Sequence, residues 1–231
     1  MRVGVIVAAA GAGRRMKADR PKQFLALDGV SILVSTLRKF DASPLIDQIV
    51  VAAPHEAVDE ARSLVADAGL GKAIVVIEGG ERRQDSVGMA MRELDENIDI
   101  VVVHDAVRPF VSLDDIEKVI AEADRTGAAI LAIPVTDTVK EVQRDFVKST
   151  LRREHLVLAQ TPQAFRTEVL REAFVSARND GYYATDEASL VEREGHQVSV
   201  VRGSDRNIKI TRPSDLSLAR FLLEEERTPV E

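Results

Sequence analysis

The chain has no cysteine and no tryptophan, and aromatic residues make up only 4% of its 231 positions. Without cysteine there is no disulfide framework, no thiolate metal site and no cysteine nucleophile. So few aromatics make base stacking along a single nucleic-acid strand a poor fit. A basic excess is missing too. Net charge is −7, and there is no basic tract of the kind a DNA-binding surface needs. No apolar run approaches the ~20 residues that cross a bilayer. The first residues enter a strand-like segment without a charged lead and a long apolar region, so no signal peptide is expected and the cytoplasm is the default compartment.

What is present suits a folded enzyme. The chain is 45% hydrophobic and 30% charged, enough to bury a core and stay in solution. Its length fits one large α/β domain, and no second-domain linker or internal repeat is visible. Short runs rich in Val, Ile and Ala recur at 3–9, 48–53, 73–77, 100–103 and 129–134. Continuous apolar strands of this kind suit a parallel sheet covered on both faces. Helical spacing fills the gaps at 31–40, 56–68, 86–94 and 113–123. The alternation predicts a doubly wound, mostly parallel sheet, whose ligands bind beyond the carboxyl ends of its strands. It breaks near residue 138. Strand-like pieces at 139–150 and 151–160, with Arg144-Asp145 as a turn, predict a β-hairpin arm outside the sheet. A hairpin cannot bury both faces alone, so it packs on its own domain or pairs with a second copy. Helices are expected again at 168–178 and 213–226, with a strand near 198–201.

Four of the predicted strand ends carry polar chemistry: 11–22, 79–86, 104–109 and 136–140. Four in one register argue for one site built from several loops. Gly11-Ala12-Gly13 invites a dinucleotide reading, but that fingerprint needs a small residue where this chain has Met16. No Gly-Lys-Ser/Thr follows either. A glycine loop remains, flanked by Arg15 and Lys22, cations that can hold a triphosphate and neutralise charge growing at its α-phosphorus. A simple tight turn with a surface arginine is the plainer reading. Gly79-Gly80 leaves backbone groups open to read the edge of a base. Asp105, just past a strand, can bind a sugar hydroxyl or Mg²⁺. Arg108 can meet a phosphate or pair with Asp105 as a structural ion pair. His104 has no nucleophile to serve and takes no catalytic role.

These pieces resemble the 2-C-methyl-D-erythritol 4-phosphate cytidylyltransferase family. The resemblance rests on residues 9–16, Pro21-Lys22-Gln23, 80–86, His104 to Pro109, Asp137 to Lys140, Gln160 to Gln163, Thr185-Asp186-Glu187 and Asn207 to Pro213, in family order from residue 3 to about 225. The departure is Val107, where the family more often has Ala. The resemblance implies a Rossmann-like fold with an arm that meets a second subunit, a homodimer, and transfer of a cytidylyl group from CTP with Mg²⁺ or another divalent cation. It implies Arg15 and Lys22 at the triphosphate. Ala9, Ala10, Gly11, Gly13, Gly80, Glu81, Ser86, Asp105 and Ala106 would form the CTP pocket. Arg108, Thr138, Arg153, Thr161, Thr185 and Lys209 would lie on the acceptor side with Asp105, with Arg153 and Lys209 orienting the acceptor phosphate. Two rivals stand beside this: a cytidylyltransferase for another polyol phosphate such as ribitol 5-phosphate, and a non-catalytic nucleotide-binding protein.

Overall fold

The computed structural model of the protein describes residues 1–11, 13, 16 and 20–227. Strand β1 (Val3–Ala8) leads through the glycine loop to a small hairpin, β2 (Ala26–Leu27) and β3 (Val30–Ser31), and then to helix α1 (Ile32–Asp41). Ser31 caps α1, its hydroxyl accepting from the Val34 N–H at 3.2 Å, which satisfies one of the orphan donors of the first turn. β4 (Gln48–Ala53), α2 (Val58–Asp67), β5 (Ala73–Glu78), α3 (Arg83–Ala90), β6 (Ile100–Asp105), α4 (Leu113–Thr126) and β7 (Ala128–Pro134) complete the alternating half. The chain then runs through β8 (Lys140–Gln143), β9 (Phe146–Thr150), β10 (Val157–Arg166), α5 (Thr167–Asn179), α6 (Glu187–Arg193), β11 (Ser199–Arg202) and α7 (Pro213–Arg227).

Seven strands form one sheet in the order β11-β7-β10-β6-β1-β4-β5. All run parallel except β10, which is antiparallel to both neighbours. Successive strand residues point to opposite faces, and the two faces have separate cores. Val3, Val5 and Val7 of β1, with Ile100 and Val102 of β6, pack with Leu37 of α1 and Ile120 of α4. Ile6, Val101 and Val103 face the other way, onto α3, α5 and α6. A third cluster joins Met16, Val107 and Phe110 to Ile210 and to Leu222 of α7. Met16, whose bulk argues against a dinucleotide fingerprint, is thus a buried anchor for the glycine loop.

From β1 the chain steps outward through β4 and β5, then crosses back to β6 on the other side of β1. That reversal opens a crevice between the carboxyl ends of β1 and β6, where Ala8 pairs with Asp105. The expected arm is present: β8 and β9 form a separate antiparallel pair, turning at Arg144 with φ 54°. The expectation that 151–160 belongs to this arm is not met throughout. From Val157 the chain has re-entered the sheet as β10, between β6 and β7. The polar run Gln160-Thr161-Pro162-Gln163 lies within it, and its proline is disfavoured in a central strand. The structure tolerates it because the pairing with β7 shifts register between Ala159 and Gln163. Helix α3 also begins three residues earlier than its apolar pattern, because Asp85 Oδ2 accepts the Arg82 N–H at 3.2 Å and closes its first turn.

Phe165 lies near the end of β10, paired with Val101 of β6 and Ala128 of β7, and is fully buried. Phe165→Ala is expected to destabilise the fold by about 3–5 kcal/mol, measured by urea unfolding. A loss below about 1 kcal/mol would show that β10 is peripheral.

Candidate active site

A cavity of about 360 Å³ occupies the crevice at the sheet's switch point, within the usual size range for a small-ligand site. The end of β1 supplies Ala9, Ala10, Gly11 and Gly13; the loop before α3 supplies Gly80 and Glu81, and the first turn of α3 supplies Ser86; the end of β6 supplies Asp105 and Ala106. Lys22 and Lys209 complete one wall. Every residue expected at the nucleotide therefore meets here, apart from Arg15, which lies outside the described residues.

Two glycines are required by the geometry. Gly13 has φ +62°, a conformation that L side chains rarely adopt. At Gly79 a Cβ would lie 2.5 Å from Ala10 Cβ and 2.9 Å from Ser86 Oγ, so the two loops meet only because that position is bare. Ser86 fixes the second loop: its hydroxyl accepts the Gly80 N–H at 3.1 Å and donates to Arg82 O at 3.0 Å. Gln23 does the same for the first. Its buried amide donates to Ala9 O at 2.5 Å, an arrangement that its side chain alone did not announce in the sequence.

Asp105 is the electrostatic centre. Lys209 Nζ lies 2.8 Å from Oδ2, Arg83 Nε 3.3 Å from Oδ1 and Arg108 Nε 3.5 Å from Oδ2. Burial pushes this carboxyl up, but Arg83, Lys209 and Arg108 together outweigh it and hold it well below the usual carboxylate range. Arg83 also pairs with the buried Glu187 at 2.6 Å. Burial works against its charge, and Glu187 and Asp105 more than offset that, leaving the guanidinium above its ordinary value. Arg83 and Glu187 are site residues that the motif reading did not assign; a helix-first-turn arginine and a carboxylate 104 positions away carry no local signal that they touch. Lys22 Nζ donates to Ile210 O at 2.9 Å, which sets it beside the loop that carries Lys209.

The acceptor-side residues are only partly gathered. Arg108 is buried beneath the cavity, its Nη1 donating to Asn207 O at 2.7 Å. Thr161 is buried behind Asp105 and accepts its N–H at 3.1 Å. Thr185 is exposed before α6, its hydroxyl 3.4 Å from Ser189 Oγ. Thr138 and Arg153 are exposed at the root of the arm, where Arg153 Nη1 donates to Thr136 O at 2.5 Å. None of these last three lines the cavity. As a metal ligand Asp105 fits poorly. Its carboxylate already faces three cations, and among the described residues no cluster of three acidic or imidazole groups exists, whereas Mg²⁺ needs several oxygen ligands.

His104 is fully buried, and that burial pushes its imidazole down to about 4. It is neutral at pH 7. The unfolded ring takes up a proton near pH 6.5 and the folded ring does so only near pH 4. Stability therefore falls as pH drops through that window, by about 2 kcal/mol between pH 7 and 5 from this residue. Urea unfolding at the two pH values measures it; a His104→Gln variant should lose that part of the acid sensitivity, and an unchanged difference would assign it elsewhere.

Comparison with known proteins agrees with this geometry. The family model for 2-C-methyl-D-erythritol 4-phosphate cytidylyltransferase matches residues 3–225. A protein of that name from Solibacter usitatus is 49% identical over 237 residues, covering 98% of this chain and 97% of its own. The crystal structure of the protein of that name from Francisella tularensis is 39% identical, with TM-score 0.82 over 96% of this chain and 100% of that one. The structure of 4-diphosphocytidyl-2C-methyl-D-erythritol synthase from Anaerococcus prevotii has TM-score 0.86 at 28% identity, over 96% of each chain. A cavity at the switch point, glycine loops on one side and a cation-ringed carboxylate on the other, together with these matches over nearly the whole length, identify the chain as a member of the 2-C-methyl-D-erythritol 4-phosphate cytidylyltransferase family.

Proposed function

We propose that the crevice between β1 and β6 is where CTP and 2-C-methyl-D-erythritol 4-phosphate meet, and that the enzyme transfers a cytidylyl group there to give 4-diphosphocytidyl-2-C-methyl-D-erythritol and pyrophosphate. The observation that carries this assignment is the cavity's charge: Lys22, Arg82, Arg83 and Lys209 against Glu81 and Asp105, a cationic surplus suited to phosphates. The Gly80–Ser86 loop offers backbone groups to the base, and Asp105 and Ala106 lie on the ribose side.

The acceptor phosphate is the nucleophile. With a second pKa near ~6 it is largely dianionic at pH 7, so no general base is needed. It forms a bond to the α-phosphorus of CTP, and the bond to pyrophosphate breaks. The obstacle is repulsion between two anions. Lys209 and Arg153 offset charge on the acceptor, and Lys22 and Arg15 stabilise charge on the triphosphate as it grows. Mg²⁺ or another divalent cation, held mainly by the triphosphate, would neutralise further charge there.

Arg153 and Thr138 lie at the root of the arm and do not line the cavity of their own chain, and we assign them to the site of a second copy, across which the arm is laid. Exposed apolar residues on the arm, Val142, Phe146 and Val147, support pairing into a homodimer, because such side chains on a lone hairpin stay uncovered. Mixing Arg153→Ala chains with Lys209→Ala chains should then recover about a quarter of wild-type turnover, from hybrid dimers with one intact site. No recovery, or a single-chain mass in light scattering, would reject the shared site.

Pyrophosphate release tests the reaction itself. Methylerythritol phosphate should support it, ribitol 5-phosphate should not, and EDTA should abolish it. Lys22→Ala should lower kcat by roughly 10²–10³-fold. Equal use of both acceptors would leave the transferase and remove the acceptor assignment; no release with either would favour a binding protein.

A further inference from the structure

Thr161 stands where the ladder between β10 and β6 stops. The last pair is Gln163 with Val103, and two steps on, that antiparallel register sets Thr161 opposite Asp105. Here β10 has slipped against β7, and Pro162 has no N–H to offer. The Asp105 amide finds a side-chain acceptor instead, Thr161 Oγ1 at 3.1 Å.

The same hydroxyl lies 3.1 Å from His104 Nδ1, and His104 Nε2 lies 3.1 Å from the Arg108 carbonyl. Elementary chemistry fixes every proton. A carbonyl only accepts, so Nε2 carries the hydrogen. In a neutral ring Nδ1 is then bare and only accepts. Thr161 must donate to it, and a hydroxyl has one hydrogen. One of its lone pairs takes the Asp105 N–H. His104 and Thr161 are 0% and 5% exposed, so water does not compete. The backbone ties the same point down: Asn207 Nδ2 donates to Thr161 O at 2.9 Å, and Arg108 Nη1 donates to Asn207 O.

A phosphate is bound by donors, and Thr161 has none left to give. We propose that Thr161 is a positioning residue: together with His104 its hydroxyl fixes the backbone from Asp105 to Arg108, and it donates no hydrogen bond to the acceptor phosphate. Its place on the acceptor side, which the family resemblance implies, is then filled through the backbone it holds and not through a bond to the phosphate. This role rests on the assigned reaction only where turnover is measured.

Histidine-labelled ¹⁵N NMR of the full-length protein at pH 7 should find His104 as a single Nε2–H tautomer. An Nδ1–H tautomer, or a mixture, overturns the proposal whatever the enzyme's acceptor. Calorimetry with CTP alone gives the second arm. Thr161→Val leaves the Asp105 N–H and His104 Nδ1 without a partner, and should weaken CTP by about tenfold. Thr161→Ser keeps the hydroxyl and should bind CTP within about twofold of wild type. In the turnover assay Thr161→Val should raise KM for both substrates. A folded Thr161→Val with unchanged CTP affinity and a raised acceptor KM alone would put the hydroxyl on the acceptor and sink the idea. If Thr161→Val does not fold, the wild-type tautomer and the Thr161→Ser affinity still decide it. Failure of turnover with intact CTP binding and tautomer would count against the acceptor assignment, not against this role.

Discussion

One buried carboxylate holds the site together. Arg83, Arg108 and Lys209 would repel one another around an empty cavity, and in a partly buried setting that repulsion is only weakly screened. Asp105 lies within ion-pair distance of all three, and each comes from a different part of the chain: the first turn of α3, the loop after β6 and the loop before α7. The carboxylate is therefore a structural counter-ion before it is anything toward a ligand. Removing one partner from such a buried cluster is far costlier than removing a surface pair, which makes the three loops interdependent.

The parallel half of the fold was legible because its information is local. Five apolar runs and the helical spacing between them translate directly into β1, β4, β5, β6 and β7 with covering helices. The strand ends carried the site for the same reason, since a doubly wound sheet gathers them along one edge. The second half was harder. The start of β10 looked like more of the arm because 151–160 is strand-like and follows the break in the alternation near residue 138. Gln160, Thr161 and Gln163 are buried through side-chain hydrogen bonds to residues dozens of positions away, and no window of sequence contains both partners.

The same limit explains which site residues the motifs supplied. Gly11, Gly13, Gly80, Lys22, Asp105 and Lys209 sit in short runs that carry the family resemblance, and all of them line the cavity. Gln23, Arg83 and Glu187 matter through what they hold. Gln23 anchors the carbonyl of Ala9, and Arg83 bridges Glu187 to Asp105. A glutamine or glutamate in a motif could equally be a solvated surface group, and only the packed structure separates the two.

The three cations around Asp105 are not equivalent, and the difference bears on how a substrate enters. Arg83 has a second anchor in Glu187, and Arg108 has one in the carbonyl of Asn207. Lys209 pairs with Asp105 and its side chain is 40% exposed. A planar guanidinium with two fixed partners loses both on turning away, whereas a flexible ammonium exchanges one carboxylate for a phosphate at little net loss. The pair Arg83 and Arg108 can keep Asp105 neutralised while Lys209 turns to an arriving anion. Lys22, on the same wall, already has a partner in the Ile210 carbonyl. On the proposed assignment, Lys209 is then the charge that turns to the acceptor phosphate, while the glycine loops and Lys22 serve the nucleotide.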